Sequence, residues 1–239
     1  MDDLILTPGQ YQSLLRGALV TLQLLGLAFV LGVVLSLVVG VARLSPNRWL
    51  RGAALGFVEF ARGISSIILV FIMAIAVPVL LGWDQRSLVV LGGLALGINM
   101  GGYGAEIIRG AILSVPRGQT EASIALNLTD GQRLRHVVLP QALRVILPPM
   151  GNLTIEILKG TAIISLVGGQ DLLFRTNLIR ARNIVPSPML FINTLLIYFV
   201  MAQVVNGLFR LAEARVERRF QTRTPANAPT APDPIGAAK

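Results

Sequence analysis

Cysteine is absent from the 239 residues, so neither disulfides nor thiolate metal sites contribute to this chain. Histidine occurs once, at His136, which leaves no clustered His, Asp or Cys for a membrane-surface enzyme to work with. Charge is scarce as well: 14% of residues are Asp, Glu, Lys or Arg, against about a quarter in a soluble globule. Acid is scarcer than base, 12 against 21. A phosphate loop of the form Gly-x-x-x-x-Gly-Lys-Ser/Thr is also missing. Leu158-Lys159-Gly160-Thr161 has its residues in the wrong order and lies in an apolar run, so ATP chemistry belongs elsewhere.

What the chain has is apolar surface: 54% hydrophobic residues and a mean hydropathy of +0.69. No charged residue occurs between Arg16 and Arg43, a stretch longer than the ~20 residues that cross a bilayer. Asn183 to Phe209 is a second such run. Gly63 to Trp83 and Ser87 to Ala105 are shorter ones, and Val145 to Phe174 is apolar but interrupted by Glu156, Lys159 and Asp171. The expected fold is all-α, an integral membrane helical bundle of about five transmembrane helices. The first run does not read as a cleaved leader. Asp2 and Asp3 precede it, where a leader is basic, and it is about twice the length of the usual apolar region of ~7–15 residues.

The net charge of +9 does not point to nucleic acid, because the basic residues gather in the gaps between runs. Arg43, Arg48 and Arg51 follow the first, Arg109, Arg117, Arg133, Arg135 and Arg144 the third, and Arg210, Arg215, Arg218 and Arg219 the last, while the second gap holds only Asp84 and Arg86. An excess of Lys and Arg marks cytoplasmic loops. Five spans then put the N-terminus outside and the C-terminus in the cytoplasm. Arg175, Arg180 and Arg182 dissent, since they precede the last run on what should be the outer side. Residues 1–13 form an extracytoplasmic segment, 14–215 the transmembrane domain, and 216–239, rich in Pro, Ala and Thr, a disordered cytoplasmic tail.

Three charge pairs stand three residues apart, Glu59 with Arg62, Glu106 with Arg109, and Glu156 with Lys159. On a helix such residues share a face and can neutralise each other. Alternatively, some face a water-filled path through the protein, as ionisable residues in membranes often do.

The segment 121–140, EASIALNLTDGQRLRHVVLP, is too polar for lipid and too well capped for a loose loop. Pro116 precedes a short helix containing Glu121, Ala122, Ala125 and Leu126, and Asn127 tolerates the left-handed turn that ends helices. Thr129 with Gln132 forms a capping-box pattern, and Leu134, Val137 and Val138 continue with an apolar stripe. Pro140 predicts a break at Leu139. Two short helices joined by a sharp turn are expected, and a partner should dock on them.

This segment resembles the EAA loop of inner-membrane permease subunits of ABC importers. The family pattern is Glu-Ala-Ala, three residues, Gly, nine residues, Ile, one residue, Leu-Pro. Here it falls on Glu121, Ala122, Ser123, Asn127, Val137, Leu139 and Pro140, with Ser for Ala, Asn for Gly and Val for Ile. The stretches YGAEIIRGAILSVPRGQ, LPQALRVILPPMGNLTIEILKGTAIISLVG and VEFARG are similar to the polar amino-acid subfamily. Ala125-Leu126-Asn127 is similar to the ectoine and hydroxyectoine branch. Two departures concern the cargo: Ile64-Ser65-Ser66 follows Arg62-Gly63 where the subfamily has Thr-Pro-Leu-Leu, and Gly160-Thr161-Ala162-Ile163 follows Lys159 where it has Asp/Ala-Thr-Ser-Leu.

The resemblance implies the permease fold of type I ABC importers, with a cytoplasmic pair of coupling helices, in a bacterial inner membrane. It implies no cofactor in this chain, with ATP and magnesium on a separate dimer of ATP-binding subunits. Further partners are a second permease chain, identical or homologous, an extracytoplasmic substrate-binding protein, the lipid bilayer and a small zwitterionic cargo, either an amino acid or a compatible solute. The coupling residues it implies are Glu121, Ala122, Ser123, Asn127, Arg133, Leu139 and Pro140. Candidates for the substrate path are Glu59, Arg62, Glu156, Lys159 and Thr161. A secondary transporter also carries charges in its spans, but it has more spans in repeated halves and needs no docking segment.

Overall fold

The computed structural model describes residues 6–82, 88–182 and 186–221. Helix α1 (Pro8–Ala42) starts at Thr7, whose hydroxyl accepts from the Gln10 amide while the Gln10 side chain accepts from the Thr7 amide. Pro8 occupies the first turn, where a missing N–H costs nothing. The helix has 35 residues, and at ~1.5 Å each it outreaches a ~30 Å hydrocarbon core.

Helix α5 (Leu88–Leu113) is the centre of the bundle, with α1 against it along most of its length. Small residues allow this. A Cβ built on Gly101 would stand 2.7 Å from Leu35 Cβ, and one on Gly32 would stand 2.8 Å from Met100 Cβ, so the two backbones meet at a distance only glycine permits. α5 continues past Ala105 to Leu113 because the charge that seemed to end it, Glu106, is bonded to Arg43 and to Arg109.

The second crossing is bent. Helix α2 (Arg48–Gly63) meets the stretch Ser66–Leu81 at 99°, with Ile64 extended between them. That stretch consists of α3 (Ser66–Phe71), a π-helical turn Ile72–Ala76 and α4 (Val77–Leu81), closed by Gly82 at φ 64°. The apolar run from Gly63 is therefore half of a span whose other half is the amphipathic α2. Four helices are long and apolar enough to cross a membrane, and this bent pair counted as one span makes five; the described residues hold no strand.

After α5 come α6 (Arg117–Ala125), α7 (Asp130–Arg133), a π-helical turn Leu134–Val138, α8 (Leu139–Gly160) and a 3-10 turn Thr161–Val167. The break expected at Pro140 does not occur: the helix runs unbroken from Asp130 to Val167. The wider π register absorbs the proline. The Leu139 amide reaches back to the Leu134 carbonyl, and the Gln141 side chain donates to the Val137 carbonyl at 3.0 Å, so the ring disturbs neither its neighbours nor the helix axis. The π turn at Ile72–Ala76 stands in the same relation to Pro78. The second of the two expected short helices is thus the leading end of a crossing helix.

That crossing stops short of Phe174, because Gly168 at φ 87° ends it. Asp171 then caps a separate short helix, α9 (Leu172–Ala181). Arg175 and Arg180 lie on α9 and Arg182 at its end, in a connection between crossings. Helix α10 (Ser187–Gln221) is the last described element. Residues 8–13 and 216–221, which the sequence places in the flanking segments, are helical. Asn183 and the tail from 222 lie outside the described residues.

The core is apolar and lies along α5, with Leu24, Leu96, Met100, Ile108, Leu158 and Ile164 closed from solvent. The outer faces of α1 and α10 carry exposed leucine and valine, which is the surface a bilayer requires.

Candidate functional site

The segment 117–141 is a rigid knob. Pro116 precedes α6 with ψ 136°. The Ser123 hydroxyl is buried and donates to the Thr120 carbonyl at 2.6 Å. At the other end Asn127 has φ 55°. Its amide donates to the Ile124 carbonyl at 2.8 Å, and the Leu128 amide to the Ser123 carbonyl at 3.1 Å. Those two bonds around a left-handed residue are a Schellman closure. Thr129 and Gln132 then cap α7 reciprocally, at 3.3 and 2.9 Å. The left-handed Asn127 and the capping box at Thr129 are both as the sequence predicts.

Two contacts join the knob to the membrane helix. The second helix of the knob is continuous with α8. The Gln141 side chain also donates to the Gln119 side-chain oxygen of α6 at 3.1 Å. Arg133 is held by Asp130 at 2.7 Å, so it is not a free cation. Leu139 and Pro140 are half-buried where α8 begins, inside the lever and away from its tip. Glu121 and Ala122 are exposed. The tip also shows Ile124 and Leu126, 54% and 74% exposed. Sequence reasoning passed over Ile124.

The candidate path residues separate into two groups. Glu59 and Arg62 are exposed on α2, and no ion pair joins them among the described residues. Instead the Arg62 guanidinium lies over the Tyr103 ring at 5.4 Å. Glu156 and Lys159 are likewise exposed on α8 with no ion pair between them among the described residues. With Asn152 they form an exposed stripe at i, i+4 and i+7, and Lys159 lines a cavity with Thr194, Tyr198 and Asn206 of α10. Thr161 is fully buried and donates to the Leu158 carbonyl at 2.6 Å. Of the three pairs, only Glu106 with Arg109 closes, at 2.9 Å.

Tyr103 belongs to α5 and meets the α2 face through Arg62. On α5, Asn99 bonds the Ala61 carbonyl of α2 at 3.0 Å, while a Cβ on Gly104 would meet Met150 of α8 at 3.3 Å. At ~100° per residue, Tyr103 projects between those two directions.

Asp171 is fully buried. It accepts from the Phe174 and Leu173 amides at 3.0 and 3.3 Å. Burial pushes its carboxyl up to about 6, against the pull of those two amides. The adjoining Leu172 amide donates to Thr21 of α1 at 3.2 Å.

Comparison with known proteins matches residues 32–218 to a family described as the binding-protein-dependent transport system inner membrane component. A probable amino-acid ABC transporter permease protein of Sinorhizobium fredii is 39% identical over 208 residues, covering 85% of this chain and 87% of that protein. The histidine/lysine/arginine/ornithine transport system permease protein HisQ of Salmonella typhimurium is 37% identical over 212 residues, covering 84% and 92%. Among solved structures, an amino acid ABC transporter crystallised with histidines aligns at a TM-score of 0.76 and 31% identity, over 86% of this chain and 94% of that one.

Proposed function

The chain belongs to the family of binding-protein-dependent transport system inner membrane components; it is a multi-pass permease subunit of an ABC importer, and we propose that its cargo is a polar amino acid or a closely related zwitterion. The observation that carries this is the likeness to the Sinorhizobium fredii permease, named for amino-acid transport, over 85% of the chain. The relatives at 37% and 32% identity are named for basic amino acids and L-cystine. That favours amino acids over ectoine, which offers the same pair of opposite charges.

In this reading the knob of α6 and α7 docks on a separate ATP-binding subunit through Ala122, Ile124 and Leu126, with Glu121 orienting the contact. A push on α6 reaches α8 through Gln119 and Gln141 and through the unbroken helix from Asp130. Bond chemistry stays on the ATP-binding subunits, and α8 converts their closure into alternating access. The knob faces the cytoplasm, with the N-terminus outside, as the arginine distribution suggests.

The stripe of Asn152, Glu156 and Lys159 and the face of Glu59 and Arg62 are polar and charged groups that lipid would not tolerate uncovered. A second permease chain is proposed to cover part of them, and the remainder lines the path. Calorimetry of the partner binding protein over amino acids and ectoine tests the cargo. Tight binding of ectoine with no response to any amino acid would refute the amino-acid reading in favour of a compatible solute.

A further inference from the structure

We infer that the cavity between the ends of α1 and α5 and the base of the knob is a binding site for an anionic phospholipid. It measures about 670 Å³. Val41 of α1, Ile112 and Leu113 of α5, Leu50 of α2 and Leu134 make its apolar walls, and Arg117 stands among its lining residues. Arg117 is exposed and makes no ion pair among the described residues. The acid in the lining, Asp130, is already held by Arg133.

The depth of the cavity identifies the occupant. Its walls are the last turns of two membrane-crossing helices, so it sits where hydrocarbon gives way to headgroups. On α2, next in sequence to the lining residue Leu50, Trp49 is 76% exposed, with the Arg48 guanidinium 5.5 Å from its ring, an aromatic and cationic pair suited to that level. Arg51 is exposed in the same turn of α2. An apolar cleft lined by two arginines, Arg117 and Arg133, against one acid, Asp130, matches both halves of a lipid, an acyl chain against the leucines and a phosphate at Arg117. A soluble anion would leave the apolar walls wetted. A zwitterionic lipid would leave the cation surplus uncompensated. An occupant here braces α1, α2 and α5 against the knob.

The inference rests on the membrane-crossing reading of α1 and α5 and on nothing about the cargo. The assembled transporter, purified in detergent and stripped of lipid, is titrated with phosphatidylglycerol or with phosphatidylcholine and read by native mass spectrometry. The expected result is one phosphatidylglycerol per copy of this chain, held in preference to phosphatidylcholine. Arg117→Gln should weaken it about fivefold, and Arg117→Lys should recover it. Leu113→Asn, at an exposed position of the apolar wall, should also weaken it, and inorganic phosphate should not compete. Equal retention of the two lipids, or unchanged binding in either Arg117→Gln or Leu113→Asn, overturns the proposal. So does competition by inorganic phosphate, which would mark a site for soluble anions, or a cross-link showing the ATP-binding subunit seated in the cavity. Any of these leaves cargo uptake, measured separately, to stand or fall by itself.

Discussion

The side chain of Gln141, at the foot of α8, donates to the side chain of Gln119 on α6 at 3.1 Å. Together with the unbroken helix from Asp130 it makes the knob and the membrane helix one mechanical piece. Gln141 also holds the Val137 carbonyl, so a single residue supports the helix around Pro140 and braces the knob. Gln141→Leu removes both bonds, each worth about 1 kcal/mol. The transporter should still assemble, but fewer cargo molecules should move per ATP. Proteoliposome uptake, divided by phosphate released, measures that ratio.

Asn127 supplies the left-handed residue of the Schellman closure. Asn127→Gly should be neutral or mildly stabilising. Asn127→Val should cost about 1–2 kcal/mol through its Cβ. Thermal unfolding of the complex, paired with retention of the ATP-binding subunit on purification, checks both. A valine variant that behaves as wild type would refute the strained turn.

Local chemistry makes this turn and the adjacent capping box legible in the sequence alone. The bonds around Asn127, Thr129 and Gln132 reach three to five residues along the chain, and such rules carry over directly. Pro140 misled because its cost is relieved in a way no local rule anticipates, by a π turn and a side chain standing in for a backbone partner. The run from Val145 to Phe174 hid a helix end, since Gly168 and Asp171 look like interruptions of a span until the left-handed glycine and the cap are seen. Whether a charge pair closes is a tertiary question. Glu106 closes with Arg109 because Arg43 comes from another helix to complete the cluster, while Arg62 is drawn to Tyr103 instead.

Glu156 is exposed on α8 and pairs with no cation among the described residues. Glu156→Gln should therefore change the unfolding temperature of the complex little, within the ±0.5 kcal/mol or so typical of surface changes. Transport should fall if the carboxylate meets the ammonium of the cargo. Wild-type uptake in a folded variant would remove Glu156 from the path.

Asp171 makes stability depend on pH. Its carboxyl is raised from 3.8 to about 6, so the folded state holds its proton more tightly than the unfolded one. The associated stability is present below about pH 4 and is lost as pH rises through 6. Asp171→Asn keeps a competent helix cap and removes the titration. The variant should lose this part of the pH dependence, gaining on wild type at pH 8 relative to pH 4. Unfolding temperatures of both proteins across that range decide it, and parallel curves would contradict the buried carboxyl as its source.

Ala122 tests the coupling role of the knob most directly. It is exposed on α6, one turn before the apolar tip, and its small side chain allows a close approach by the ATP-binding subunit. The measurement is ATP hydrolysis by the reconstituted transporter carrying Ala122→Asp, with and without loaded binding protein. The account predicts that the membrane subunit stays folded while hydrolysis loses its response to loaded binding protein, or the ATP-binding subunit dissociates. Full stimulation, with a full complement of ATP-binding subunits and wild-type uptake, would contradict it.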